Sequence, residues 1–195
     1  HHNVQLVVTQ PDRPKGRGRE STPSPVKQFA LENNIPILQP KKCTDLEVVK
    51  TLGMLNADFF IVVAFGQILD KPLLALPLHF CINLHSSLLP KYRGAAPINW
   101  SIINGETEAG ITTMKMDVGL DTGDILLAHK VQINDDDDAQ SLHDTLAQKG
   151  SDLVLETLNQ FDFGSLEGTS QNIELASYAP KLKKEDGSVS YTHLR

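Results

Sequence analysis

The sequence predicts an α/β fold with a mainly parallel sheet flanked by helices. Short β-branched and aromatic runs alternate along the chain with segments of helical periodicity, which is the pattern of βαβ units. The run 59–64 is apolar at every position, as expected of a central parallel strand that is covered on both faces. A chain of 195 residues can bury a sizeable core, and such sheets bind ligands at the carboxyl ends of their strands.

The first half of the chain is punctuated by Pro and Gly. The β-branched run 4–8 predicts a first strand. Residues 11–25, rich in Pro, Gly, Arg and Ser, predict an exposed loop without a packed element. Ser24 followed by Pro25 is typical of a helix start, so a helix is predicted to about Asn33. A strand at 35–38, a helix at 45–55, the strand at 59–64, a helix at 71–76 and a strand at 80–84 are predicted to follow.

The second half of the chain predicts a helix at 97–104 that ends at Gly105. Strands are predicted at 111–116 and 125–131, joined by the tight segment 119–124. Leucines at helical spacing predict an amphipathic helix at about 139–158, with Gly150 inside it. The sequence shows no internal repeat and no linker between folded domains.

Composition excludes several classes of protein. The longest apolar run has seven residues, whereas a membrane-spanning helix needs about 20. The first residues lack the pattern of a secretory signal. Two cysteines, Cys43 and Cys81, argue against a disulfide framework and for a reducing compartment. We therefore expect a cytoplasmic protein without membrane association.

Charge is unevenly distributed along the chain. The net charge is −6, which disfavours a general nucleic-acid coat protein. Residues 12–19 nevertheless hold four basic residues and one Asp. Such a basic segment on an acidic body is suited to contact a polyanion at one place only.

Asn83 and His85 form the first candidate site, at the end of the strand predicted at 80–84. Side chains alternate along a strand, so both are expected on one face. An amide beside an imidazole can hydrogen-bond one developing oxyanion while the imidazole also moves a proton. The alternative is a structural pair whose polar atoms are satisfied by loop backbone.

The acidic segment 117–124 is the second candidate, with three Asp and two Gly between two strands. It is compatible with ordinary turn chemistry. Composition alone favours that interpretation, and the second one is a carboxylate that returns to the imidazole and orients it. Spacing alone does not separate these interpretations.

Two groups of residues contain metal-ligand side chains but do not predict a metal site. His79, Cys81, Asn83 and His85 share a strand face, but residues of one strand rarely close a tetrahedral site. The four aspartates at 135–138 lack the pattern of a calcium loop and precede a helix, where they complement its dipole. We predict no metal.

Several motifs resemble the folate-dependent formyltransferases. They are Asn83-x-His85, the segment 87–94 that follows, and Asp121, which lies 36 residues after His85. Segments 9–18, 92–98 and 116–124 are similar to the methionyl-tRNA formyltransferase family within that superfamily. The resemblance runs from about residue 4 to residue 187.

The resemblance implies a Rossmann-like formyltransferase domain. It implies a catalytic domain over 1–179 that is truncated at its N-terminus, and the start of an interdomain linker, cut short, over 180–195. By the same resemblance, we expect the family's first strand and its C-terminal β-barrel domain to lie outside this sequence.

The resemblance also implies a function in translation initiation. A formyl group passes from 10-formyltetrahydrofolate to the α-amine of methionyl initiator tRNA. The catalytic residues would be Asn83, His85 and Asp121. Asn83 and His85 would hold the oxyanion, and Asp121 would hold the imidazole.

The resemblance further implies the binding sites. We expect folate to bind at three segments: Gln67, Ile68 and Leu69; Ser87, Leu88, Leu89 and Pro90; Asp117, Val118, Gly119 and Leu120. We expect tRNA to bind at Arg13, Lys15, Arg17 and Arg19, and the protein to be a monomer.

Three alternatives stay open at this point. A sibling formyltransferase would act on glycinamide ribonucleotide or an amino-sugar nucleotide and would have little use for the basic segment. A formyltetrahydrofolate hydrolase would release formate without an acceptor. An RNA-binding module on a decayed scaffold would bind RNA without needing folate.

Overall fold

A computed structural model describes residues 2–15 and 20–187. The chain divides into two compact units, His1–Ile82 and Asn83–Arg195. The boundary falls inside a strand and not at a linker. The catalytic domain over 1–179 and the linker start over 180–195 stay predictions.

The first unit contains short strands and three helices. Its elements are β1 Val7–Val8, β2 Arg13–Lys15, β3 Glu20–Thr22, α1 Pro25–Glu32, β4 Ile37–Leu38, α2 Leu46–Gly53, β5 Phe59–Val63 and α3 Lys71–Leu74. β1 pairs with β4 in parallel. The predicted start of α1 is confirmed, since the hydroxyl of Ser24 accepts from the backbone N–H of Lys27, as an N-cap does. Cys43, Leu52 and Leu73 form the buried cluster of this unit.

The prediction that residues 11–25 form a loop without a packed element is wrong at Arg13–Lys15 and Glu20–Thr22, which are strands. β2 and β3 form an antiparallel hairpin in which Arg13 pairs with Thr22 and Lys15 with Glu20. The pairing uses backbone hydrogen bonds, which need no apolar side chains. A composition rich in polar residues and Gly therefore does not exclude it.

The prediction that segment 59–64 is covered on both faces is also wrong. Ile61 and Val63 are 42% and 55% exposed, whereas Phe60 packs against the buried cluster. Side chains alternate along a strand, so one face of β5 is half-buried and the other is exposed. Among the strands that the structure describes, β5 is also the end strand of its sheet, not a central one as predicted.

The second unit carries the longer strands and the longest helix. Its elements are α4 Pro97–Ile103, β7 Glu108–Lys115, β8 Ile125–Gln132, α5 Ala139–Asp162 and two short 3₁₀ turns at Ile173–Leu175 and Lys184–Gly187, while β6 Phe80–His85 contains the boundary between the units. The sheet order is β5–β6–β7–β8, and β7 and β8 are antiparallel. The sheet is therefore mixed, and the α/β class is confirmed.

α5 packs its leucines against the sheet of the second unit. Leu142, Leu146 and Leu153 lie in one buried cluster with Ala109 and Ile111. Gly150 does not interrupt the helix. A Cβ at that position would lie 2.7 Å from Leu84 and from Ile111, so glycine permits close contact between helix and strand.

Candidate active site

His85 ends β6 and is held by the loop that follows it. Its side chain is buried, and Nε2 lies 2.9 Å from the carbonyl oxygen of Tyr92. A carbonyl only accepts hydrogen bonds, so Nε2 carries a proton and donates it. In the neutral ring Nδ1 therefore holds the free lone pair, and it is the nitrogen that can exchange a proton.

Asp121 faces that nitrogen from the acidic segment between β7 and β8. Its Oδ2 lies 3.7 Å from Nδ1 of His85, beyond hydrogen-bond length but within range of an ionic contact. The same oxygen accepts a 2.8 Å hydrogen bond from the backbone N–H of Gly94. Asp121 has φ +52°, a left-handed conformation that Asp tolerates better than most residues. The structure thus brings together a carboxylate and an imidazole that are distant in sequence.

Asn83 precedes His85 by two positions in β6 and shares its face. The side chain is half-buried. Its amide makes no hydrogen bond to any other part of the chain that the structure describes, so both polar atoms remain able to bind a ligand. By contrast Nε2 of His85 is satisfied by loop backbone, as the structural alternative expected. Of the polar groups of these two side chains, Nδ1 of His85 and the amide of Asn83 are therefore the ones available to a reaction.

The side-chain hydroxyl of Tyr92 also forms hydrogen bonds in this region. Its hydroxyl donates a 2.5 Å hydrogen bond to Oε1 of Glu106 and accepts one of 3.0 Å from Asn104. Burial, followed by the hydrogen bond to Glu106, raises the pKa of the Tyr92 phenol above its usual 10. Tyr92 therefore stays neutral at physiological pH and anchors the loop that holds His85.

The turn 87–90 is fixed by hydrogen bonds to its neighbours. The buried hydroxyl of Ser87 donates to the carbonyl of Lys91 at 2.6 Å. Thr112 in β7 donates to the carbonyl of Ser87 and accepts from the N–H of Leu89. Leu89 is buried, while Leu88 and Pro90 are half-buried. A folate wall here would consist of half-buried side chains on a rigid turn.

The two interpretations of the acidic segment apply to different residues. Asp117 stabilises the turn, because its carboxylate accepts hydrogen bonds from the N–H of Gly119 and from the hydroxyl of Thr122. Asp121 is the carboxylate that returns to the imidazole. Val118 and Leu120 between them are 76% and 60% exposed. Exposed apolar side chains are suited to cover an aromatic ligand.

The folate-binding segment predicted at 67–69 lies in the first unit. Both polar atoms of the Gln67 side chain are hydrogen-bonded to the backbone. The oxygen accepts from the N–H of Cys43, and the nitrogen donates to the carbonyl of Pro40. Leu69 packs against the buried cluster of that unit, whereas Ile68 is 85% exposed. Of the three side chains, Ile68 is the one available to a ligand.

The described part of the basic segment is the hairpin. Arg13 is exposed and Lys15 ends β2, while Arg17 and Arg19 lie outside the described residues. Asp12, just before the hairpin, bonds to the amide of Gln39 and the ammonium of Lys27. These contacts, the one to Gln39 above all, lower the pKa of the Asp12 carboxyl.

Both cysteines are buried free thiols of low reactivity. Burial raises the pKa of the Cys81 thiol to about 12, and burial also raises the pKa of the Cys43 thiol.

Within residues 2–15 and 20–187, no three His, Cys, Asp or Glu side chains are grouped closely enough to hold a metal ion. Across the same residues, no helix combines the length and apolarity that a membrane span requires.

Sequence reasoning missed the backbone partners of the catalytic candidates. The carbonyl of Tyr92 and the N–H of Gly94 set the positions of His85 and Asp121. Both residues lie in a segment that the resemblance included, but a backbone group is common to nearly all residue types. The sequence therefore carries no signal that marks these two backbone groups as the partners of His85 and Asp121.

Known proteins are similar to this chain over most of its length. A methionyl-tRNA formyltransferase of Geobacter metallireducens is 57% identical over 189 residues, which cover 97% of this chain and 61% of that protein. The chain therefore spans about three fifths of the length of the curated relatives it matches.

Solved structures share the fold at lower identity. Phosphoribosylglycinamide formyltransferase from Bacillus halodurans matches with a TM-score of 0.69 and 24% identity, over 82% of this chain and 80% of that one. The formyltransferase PseJ from Anoxybacillus kamchatkensis, solved with tetrahydrofolate and a UDP-linked formamido sugar, has a TM-score of 0.67 and 24% identity, over 93% of this chain and 88% of that one. The family model described as formyl transferase matches residues 1–158. The chain belongs to the formyl transferase family.

Proposed function

We propose that the full-length protein transfers the formyl group of 10-formyltetrahydrofolate to the α-amine of methionine on initiator tRNA. The observation that carries this proposal is the contact between His85 and Asp121 beside a free Asn83 amide. The choice of acceptor is supported by the relative that is 57% identical and named methionyl-tRNA formyltransferase.

The reaction needs no nucleophile from the protein. The amine nitrogen attacks the formyl carbon, and the carbonyl oxygen becomes an oxyanion in the tetrahedral intermediate. The bond between the formyl carbon and N10 of the folate then breaks. The amine loses one proton and N10 gains one, so the protein has to stabilise an oxyanion and move a proton.

The described side chains can divide these tasks. The amide of Asn83 is able to donate a hydrogen bond to the oxyanion, since no other described group uses it. His85 is held by Tyr92 with Nδ1 directed toward Asp121, so Nδ1 is the nitrogen that delivers the proton to N10. The carboxylate of Asp121 orients that ring and stabilises it while it is charged, or accepts the proton of the amine through water.

Folate binding is proposed at the exposed apolar residues of the predicted segments. Val118 and Leu120 in the second unit are largely exposed, and apolar side chains with a few polar groups form most small-molecule sites. Ile68, in the first unit, is also largely exposed, and its part in folate binding stays a prediction from the sequence. Calorimetry with a folate analogue tests this part. Absence of binding by the well-folded full-length protein would contradict it.

We propose the hairpin as a contact to tRNA. Arg13 and Lys15 lie on a narrow two-stranded ribbon, and basic side chains on such a surface can pair with backbone phosphates. Arg17 and Arg19 belong to the same proposal. We further expect a cytoplasmic monomer that does not associate with membranes.

An assay with different acceptors tests the proposed function. The full-length protein is given 10-formyltetrahydrofolate with methionyl initiator tRNA, glycinamide ribonucleotide, an amino-sugar nucleotide, or no acceptor. We expect transfer to the tRNA alone. Transfer to another amine would identify a sibling activity, formate release without acceptor would identify a hydrolase, and RNA binding without any turnover would identify a binding module.

A further inference from the structure

A buried hydrogen-bond network joins the Asp121 turn to two residues outside the predicted site. Arg93 is 2% exposed, and its Nε and Nη2 donate hydrogen bonds of 3.1 and 2.7 Å to Oε1 of Gln171. Nε2 of Gln171 donates to the carbonyl oxygens of Asp121 and Gly123, at 2.9 and 2.7 Å. Gln171 thus connects a buried guanidinium to the backbone of the turn that carries Asp121.

The chemistry of the partners fixes the orientation of Gln171. A guanidinium has only donors, so it must face the oxygen of the amide. The NH₂ group then points toward two backbone carbonyls, which only accept. An amide turned by 180° would lose all four hydrogen bonds and direct its NH₂ group at the guanidinium. Arg93 therefore determines the orientation of Gln171, and Gln171 restrains the turn.

Stability alone does not explain this network. Among the described residues Arg93 has no carboxylate partner, and its buried Nη1 makes no hydrogen bond. A buried charge without a counter-ion costs free energy. Asp121 also has φ +52°, in the left-handed region that residues other than glycine adopt at some cost. Backbone of this kind persists when its surroundings hold it, and the two hydrogen bonds from Gln171 hold it on both sides.

We propose that Gln171, oriented by Arg93, is a positioning residue that keeps the carboxylate of Asp121 against Nδ1 of His85. This inference rests on the proposed function, since it assumes that Asp121 and His85 serve the reaction. It places a determinant of the site at residue 171, beyond the residues 1–158 that match the family model.

The substitution Gln171→Glu separates positioning from stability. One carboxylate oxygen would still accept from Arg93 and would compensate its charge, whereas the other would repel the carbonyls of Asp121 and Gly123. We expect kcat to fall about 10- to 100-fold, as for a displaced catalytic group, while KM for the folate changes little. The thermal unfolding midpoint should stay the same or rise. Gln148→Glu, the same change at an exposed position of α5, is the matched control and should leave kcat unchanged.

A double-mutant cycle in the full-length protein tests whether Gln171 acts through Asp121. In an Asp121→Asn background, Gln171→Glu should change kcat by less than about twofold. The full loss in that background would overturn the inference.

The crystal structure of the Gln171→Glu variant gives a readout that does not depend on activity. We expect the distance from Nδ1 of His85 to Oδ2 of Asp121 to exceed 3.7 Å, and an unchanged distance would overturn the inference. If the wild-type protein transferred no formyl group, the proposed function would fail, but this distance would still decide the role of Gln171.

Discussion

The proposed catalytic residues and the basic hairpin differ in what holds their side chains. His85 and Asp121 are fixed by backbone groups of Tyr92 and Gly94, which lie 7 and 27 residues away from them in sequence. In the hairpin, Arg13 is exposed, and its side chain donates a long hydrogen bond of 3.5 Å to nearby Gln10. One region is preorganised by the fold, while the other presents charge at the surface.

The difference predicts two kinds of response to substitution. A preorganised group loses its effect when its geometry changes, because catalysis depends on position. A surface charge acts at longer range and is screened by salt. Substitutions near His85 should therefore have large effects that salt does not alter, whereas hairpin substitutions should have smaller effects that vanish at high salt.

The largest effect is expected for His85→Ala. Loss of the proton-transferring ring should lower kcat by about 10²- to 10⁴-fold. His129→Ala, at an exposed position of β8, should leave kcat unchanged. Thermal unfolding of both variants shows whether the fold is retained. Near-normal turnover of a folded His85→Ala variant would remove His85 from the mechanism.

A smaller effect is expected for Tyr92→Phe, measured as the free energy of unfolding in urea. The loss of the hydroxyl removes a partner from Glu106 and from Asn104, which should cost about 1–2 kcal/mol. Tyr178→Phe is the control, because Tyr178 is 62% exposed. Equal stabilities of the two variants would show that the Tyr92 hydroxyl does not anchor the loop.

The stability of the wild-type protein should also depend on Tyr92 at alkaline pH. The folded pKa of the phenol is raised above 10, so the contribution of Tyr92 is complete below pH 10 and is lost as pH rises through the folded value. The difference in unfolding free energy between wild type and Tyr92→Phe should therefore shrink above pH 10. A constant difference would contradict this linkage.

The smallest effect is expected from the double substitution of Arg13 and Lys15 by alanine. If each residue neutralises one phosphate, the slope of log K for tRNA against log salt should flatten by about 1.5. Folate binding and the turnover rate at saturating tRNA should not change. The control is the double substitution of Lys41 and Lys42 by alanine, two exposed lysines of the same unit. An unaltered slope would show that the hairpin is not a tRNA contact.

Sequence reasoning succeeded where the physical cause is local. Ser24 and Pro25 begin a helix because a hydroxyl cap and a fixed φ act within one turn. Asn83 and His85 share a face because alternation is a property of a single strand. The role of Asp121 came only from resemblance, since composition favoured turn chemistry and spacing did not separate it from catalysis. The structure assigns turn chemistry to Asp117 and the imidazole contact to Asp121.

Sequence reasoning failed where the cause is a contact between distant residues. The β2–β3 hairpin is formed by backbone pairing, which a Pro- and Gly-rich composition does not reveal. The exposure of Ile61 and Val63 depends on which elements cover β5, and an apolar run carries no such information. Gln171 lies 50 residues from Asp121 in sequence, in a stretch without periodicity or motif, so its contact required the folded chain.

The rate of formyl transfer by an Asp121→Asn variant tests the central claim most directly. The full-length variant is assayed with saturating 10-formyltetrahydrofolate and methionyl initiator tRNA, beside Asp135→Asn at an exposed position as the matched control. Asparagine keeps the size of the side chain but removes the charge that faces Nδ1 of His85. We expect a loss of about 10²- to 10⁴-fold in Asp121→Asn, with folate binding retained and Asp135→Asn unaffected. Near-normal transfer by the Asp121→Asn variant would contradict the proposed mechanism.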